Sequence, residues 1–296
     1  RMRPGMLLLA TTCTVSAALA PPPRAAVRMS MSTTALSGLT LSRVADGEMV
    51  DVGKALDEPG GPTLCVFGTY PADFNCIEYC QRLRHYMPTL TDKGVGRFIV
   101  IANGGGSACS KLRELVDLPD GVELLSDPAG EAGRRFSVSR GWLADDSSTS
   151  AYVKLLGMLV GLGAHYTLPS VLTGYFGNPS GKNGWIESAL VQGTGAGRFP
   201  TNAVFAASDG KVVNKFDDLP VVGGWGRRPL ELATLRLQNM VGISLSNWEE
   251  LQPDEDRCLT QLGGLVLVDG SGKTLYEWRG NGICAVANFE EVVAAL

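Results

Sequence analysis

Between residues 63 and 126, three short apolar runs, TLCVFG (63–68), RFIVIA (97–102) and VELLS (122–126), are separated by two stretches of helical periodicity, Asp73 to Leu90 and Ser107 to Leu118. Strands that alternate with helices at this spacing form parallel βαβ units, with the helices covering the sheet faces. This pattern predicts an α/β fold.

Downstream, Pro128 to Phe136 reads as a further helix, and Asp145 to Ser150 is a Ser/Asp-rich break. Leu262 to Val268 and Lys273 to Trp278 flank Asp269-Gly270-Ser271-Gly272, a hairpin signal, and Asn288 to Leu296 reads as a closing helix. Strand, helix, strand, helix, strand, hairpin, helix is the thioredoxin order. The predicted architecture is therefore a thioredoxin-like central sheet flanked by helices, with a mostly helical insertion before the C-terminal hairpin and helix. The insertion, 151–252, holds an apolar helix (Tyr152 to His165), a second hairpin signal at Asp209-Gly210 and a helix from Pro229 to Val241. The later hairpin is taken as the domain's own because the closing helix follows it directly. The predicted divisions are 1–38, 39–150, 151–252 and 253–296.

The first of these is a targeting leader. A basic start precedes the apolar run Met6 to Ala20, and Pro21 to Gly38 is rich in Ser, Thr, Ala and Arg and free of acids. A signal peptide followed by a transit-like stretch resembles the bipartite presequence of algae with secondary plastids, which implies a chloroplast destination, with secretion as the alternative. No transmembrane span is expected in the chain beyond it. The formal net charge is −4, and −8 without the four arginines of the leader, so a nucleic-acid partner is not expected. Seven cysteines (13, 65, 76, 80, 109, 258 and 284) are too scattered for a disulfide framework, and the six beyond the leader suit a reducing or redox-regulated compartment.

Three stretches carry a family resemblance: TYPADFNCIEYCQRL (69–83), RRPLELATLRLQNM (227–240) and LTQLGGLVLVDGSGKTLYEWRGNGI (259–283). Together they resemble the alkyl hydroperoxide reductase/thiol-specific antioxidant type of peroxiredoxin-like protein found in cyanobacteria and plastids, related to the peroxiredoxin-like 2 family. The resemblance spans most of 60–285. It implies a thioredoxin fold, and it points to thiol–disulfide or peroxide-reducing chemistry with a small-molecule peroxide or a thiol protein as partner.

A redox thiol in such a fold sits in the first turn of the helix after the first central strand, where free amides and the helix dipole favour the thiolate. Cys76 occupies that place, at N3 behind an Asp73 N-cap, with Cys80 one turn on. The peroxiredoxin motif Pro-x-x-x-Thr-x-x-Cys, laid over Pro71 to Glu78, instead puts Asn75 at the Thr position and Glu78 at that of the nucleophile. A bond between Cys76 and Cys80 would also need local unwinding, because Cβ atoms at i and i+4 are ~5–6 Å apart and a disulfide needs about 3.8 Å. On the helical wheel Cys76, Cys80, Leu83 and Met87 share an apolar stripe, with Glu78 and His85 on the opposite side. Two readings of Cys76 follow: a redox-active thiol, or a packed core side chain. In the redox reading Cys76 attacks the peroxide, Arg82 or Arg113 stabilises the thiolate, and Cys80 or Cys109 resolves the sulfenate. Cys65, inside its strand, is expected in the core.

Weaker signals are read as architecture. The glycine clusters Asn103 to Ser107 and Gly193 to Gly197 match neither a Walker A motif nor a full dinucleotide fingerprint and are expected to be tight loops. Gly157 and Gly161 form a small-xxx-small pair, suited to close helix contact or a membrane surface, but the ten-residue apolar run is expected to be a buried helix. Histidines occur only at 85 and 165 and no Cys/His pair has zinc spacing, so no metal or other cofactor is expected. The leading functional reading is a plastid peroxiredoxin-like oxidoreductase using Cys76. The alternatives are a non-catalytic thioredoxin-fold binding or assembly module, using the insertion or the Gly157/Gly161 helix as contact face, and an NADPH-linked reductase.

Overall fold

Each of the three apolar runs forms a strand. In chain order the elements are β1 (Thr40–Arg43), β2 (Met49–Asp51), α1 (Val52–Leu56), β3 (Thr63–Phe67), α2 (Phe74–Asp92), β4 (Arg97–Ala102), α3 (Gly106–Val116), β5 (Val122–Ser126) and α4 (Glu131–Arg135). Then come α5 (Ala151–Leu159), α6 (Thr167–Tyr175), α7 (Gly184–Gly195), β6 (Phe205–Ser208), β7 (Lys211–Asn214) and α8 (Pro229–Ser244), in the segment expected as an insertion. The chain closes with α9 (Trp248–Leu251), β8 (Gly264–Val268), β9 (Thr274–Arg279) and α10 (Phe289–Ala294). The computed structural model describes residues 33–175, 184–199, 205–208, 211–214, 220 and 229–296. Most of the expected leader, Cys13 within it and the Asp209-Gly210 turn lie outside the described residues. The described chain begins inside the segment assigned to the leader, and Leu36 of that segment is fully buried.

The protein is α/β, with a seven-stranded mixed sheet in the order β2-β1-β5-β4-β3-β8-β9 flanked by helices. β3, β4 and β5 are parallel, with Cys65 opposite Ile99 and Ile99 opposite Glu123, whereas β8 runs antiparallel to β3 and β9 antiparallel to β8. Alternation along β3 sends Leu64 and Val66 to the α2 and α3 side. Cys65 and Phe67 point to the opposite side, with α1 and α4. That second face is closed by Phe136, stacked on Phe67 at 4.1 Å between ring centroids. Because helices cover both faces, the central strands are apolar along their whole length rather than alternating.

The β1/β2 pair and α7 have no counterpart in the sequence reading. β1 is four residues with the burial pattern exposed, buried, half-buried, half-buried, too short for a period-2 signal to stand out. The hairpin expected around Asp209 is present as the antiparallel β6/β7 pair, Phe205 opposite Asn214, separate from the main sheet. The apolar helix expected from Tyr152 to His165 divides: α5 stops at Leu159, a glycine-containing turn follows with Gly161 at φ +100°, and α6 begins at Thr167. Among the described residues no helix is long and apolar enough to cross a membrane.

Two expectations are corrected. α5 is not a buried helix: of its nine residues only Lys154 and Met158 are buried. Gly193 and Gly195 lie inside α7 rather than in a loop. A Cβ on Gly193 would come 2.4 Å from Oδ1 of Asn239, so the glycine is what lets α7 and α8 approach.

Candidate functional site

The site is built where α2 leaves the end of β3. Asp73, in extended backbone, caps the helix by accepting from the amide of Asn75 at 3.2 Å, and its carbonyl accepts from Ile77. This sets Phe74 at N1 and Cys76 at N3, as the sequence predicts. Gly68, just after β3, leaves room for the sulfur: a Cβ there would lie 3.2 Å from Sγ of Cys76 and 2.9 Å from the carbonyl oxygen of Ile101.

Three cysteines converge at this point. Cys76 and Cys80 face the sheet from α2, and Cys109 comes from the start of α3, its thiol directed at the Gly104 carbonyl at 3.4 Å. All three are fully buried. Cys65 is on the other face of the same sheet and takes no part. The Cys76 thiol is pushed well above the usual thiol range, first by its hydrogen bond with Cys80, then by burial, with the Cys109 thiol and the Asp73 carboxylate acting in the same direction. Burial pushes Cys109 up to about 12. At neutral pH Cys76 and Cys109 are therefore protonated, and a thiol is a poor nucleophile compared with its thiolate.

The cations that could reverse this are engaged elsewhere. Arg82 donates to Glu78 through Nε at 2.7 Å, one helical turn away on the side of α2 opposite the sulfurs. Arg236 of α8 donates to the other oxygen of the same carboxylate, and both of these side chains are buried. The two guanidinium groups also bracket the Trp185 ring of α7, at 4.5 Å for Arg82 and 4.8 Å for Arg236 from the ring centroid. Burial lowers Arg236 to about 10, which leaves it charged at neutral pH. Arg113 is used structurally, donating to the carbonyls of Val122 and Pro119 near the start of β5.

Glu78 was expected on the side of the helix away from the sulfurs, and it is. What covers that side is not water but two later helices: α7 supplies Trp185 and α8 supplies Arg236. Sequence reasoning missed Arg236 and Trp185 as site residues, since a lone arginine in a helical stretch and a lone tryptophan 51 positions before it carry no pairing signal. Asn75 and Gln81 are also buried on α2, and neither side-chain amide has a hydrogen-bond partner among the described residues.

The Asn103–Ser107 loop, strand-to-helix like a phosphate loop, is already filled. The Gly105 amide at the N-terminus of α3 donates to the Asp254 carboxylate at 2.6 Å, so the protein's own anion sits where a ligand phosphate would. Among the described residues no group of three or more His, Cys, Asp or Glu side chains could hold a metal ion. A cleft of about 380 Å³ opens at the opposite ends of β3 and β4, lined by Glu58, Arg97 and Glu123, whose charges are paired with one another. Comparison with known proteins found no matching family model, no similar curated protein and no similar solved structure.

Proposed function

We propose that the chain is a thioredoxin-fold binding and assembly module of peroxiredoxin-like type, not an enzyme in its resting state. The observation that carries this reading is the role of Glu78. In the register where the peroxiredoxin motif would place its nucleophile, the chain has a carboxylate. Arg82, which the resemblance offers as stabiliser of a thiolate, points away from the sulfurs and is bound to that carboxylate together with Arg236, and Arg84, the α2 arginine on the Cys80 side, donates to the carbonyls of Val116 and Ser188. The helix end used for sulfur chemistry in the resembling family here fastens the insertion to the sheet domain. Cys76, Cys80 and Cys109 then act as small apolar packing groups.

A second reading has one observation in its favour, the gathering of the Cys76, Cys80 and Cys109 thiols in one buried cluster. In this reading the Cys76 thiolate attacks a peroxide oxygen and becomes a sulfenic acid as the O–O bond breaks and the alcohol or water leaves. A second thiol then condenses with the sulfenic acid, releasing water and forming a disulfide that an external dithiol reduces. The first turn of α2 must open for this to occur.

Thiol-reactivity mapping at pH 7, with and without hydrogen peroxide, separates the two. The module reading expects slow labelling at positions 76, 80 and 109 that peroxide leaves unchanged, and a Cys76→Ser variant altered only in stability. Fast labelling at Cys76 that peroxide abolishes, and that disappears in Cys76→Ser, establishes the peroxidase instead.

A further inference from the structure

Between Tyr152 and Leu172 the chain turns its apolar side outward. Nine large hydrophobic side chains in this stretch are 44 to 69% exposed, among them Tyr152 and Leu156 on one line of α5, Val160 just past its end, and Leu168 and Leu172 on α6. The inward face is the poorer one: Lys154 lies along it with its ammonium donating to the Asp146 carbonyl, beside Met158. Gly157 is turned inward as well, with the Trp142 ring where its Cβ would be, 2.6 Å away. Gly157 is therefore spent on intramolecular packing and Gly161 on the turn after α5, at φ +100°, and the outward surface is formed by leucine, valine and tyrosine.

At roughly 100 Å² left in water per side chain, the face amounts to on the order of 900 Å², above the ~300–600 Å² of the largest patch on a typical monomer and equal to the ~800 Å² each partner gives to a stable interface. Its charge narrows the occupant. Residues 151–175 contain one charged side chain, Lys154, and it is buried. Just before α5 in the chain stands the exposed Asp145, with Arg140 paired to it. A membrane-surface helix needs lysine or arginine along its length to meet anionic headgroups, and residues 155–175 supply none. A charged protein partner would bury its charges unpaired. The partner that meets an uncharged face of this size with another is a second copy of the same face, and a two-fold axis through it lets each α5 line pack against its mate.

We infer that the α5–α6 face is the contact surface of a symmetric homodimer. This rests on the module reading above and names its partner. The test is sedimentation equilibrium of the full chain and of the double variant Leu156→Glu/Leu168→Glu, with thermal unfolding of both as a control on folding. The expected result is a wild-type species of twice the 31.3 kDa chain mass with a dissociation constant at or below about 1 µM, weakened at least ~100-fold in the folded variant. A monomeric wild type overturns the dimer, as does association that persists undiminished in the variant. Should the variant fail to fold, Tyr152→Lys, whose side chain is more than half exposed, replaces it with the same expectation. Flotation of a monomeric wild type with neutral-lipid vesicles overturns the dimer in favour of a lipid surface. Peroxide-sensitive labelling of Cys76 would refute the module reading while leaving the dimer standing, so the two failures are distinguishable.

Discussion

Arg236 on α8 reaches the carboxylate of Glu78 on α2 across 158 positions of sequence, and both side chains are buried where they meet. With Arg82 on the second oxygen and Trp185 between the guanidinium groups, the pair joins α7 and α8 to α2. Removing one partner leaves a buried charge uncompensated. Glu78→Gln is expected to lower unfolding free energy by about 3–5 kcal/mol in urea titration, and Glu78→Gln with Arg236→Met is expected to cost less than the sum of the two single changes. Additive costs would show that the pair does not couple the two segments.

Gly68→Ala tests the packing of the sulfur. The new methyl would meet the Ile101 carbonyl oxygen at 2.9 Å and the Cys76 sulfur at 3.2 Å, and the backbone oxygen cannot rotate away. Destabilisation of about 1–3 kcal/mol is expected. A neutral substitution would mean that Gly68 stands further from Ile101 of β4 and from the Cys76 sulfur than described.

The buried thiols predict a loss of stability at high pH. Burial raises Cys65, Cys109 and Cys258, and the Cys80 contact together with burial raises Cys76. An unfolded thiol ionises near 8.5, so above that pH the unfolded chain releases protons that the folded chain keeps. The contribution of these groups is complete below pH ~8.5 and is lost progressively toward pH 12, each thiol costing about 1.4 kcal/mol per pH unit. Thermal midpoints measured from pH 7 to 10.5 should fall above 8.5, and less steeply in Cys109→Ala. A midpoint that rises through this range would contradict the burial of the sulfurs.

Gln81 offers a test in the opposite direction. Its amide is buried without a hydrogen-bond partner among the described residues, so an apolar group of similar volume removes a cost rather than an interaction. Gln81→Met is expected to leave the urea midpoint unchanged or raise it by up to about 1 kcal/mol equivalent. A loss beyond 1 kcal/mol would show that the amide is engaged in the native state.

Much of the sheet and its helices could be read from local pattern because local physics decides it. RFIVIA could only be a buried strand, Asp73 and Asn288 cap α2 and α10 through their own side chains, and the turn at Asp269 is fixed by that residue accepting from the Ser271 and Lys273 amides. The wheel of α2 likewise placed Cys76 and Cys80 toward the sheet and Glu78 away from it. The wheel states direction, however, and not what lies in that direction. Whether the far side of α2 meets water or protein depended on α7 and α8, more than 100 residues later, and whether Cys76 opens to solvent depended on Gly68 and on Cys109 from another helix. For α5 the composition of the helix predicted burial, yet most of its apolar side chains face outward: only Met158 and the stem of Lys154 turn inward, and the Trp142 ring fills the space beside Gly157. Periodicity and capping act within a turn or two of chain and so are written in the sequence. Desolvation, ion pairing and exposure are set by atoms distant in sequence, and only the tertiary structure brings those together.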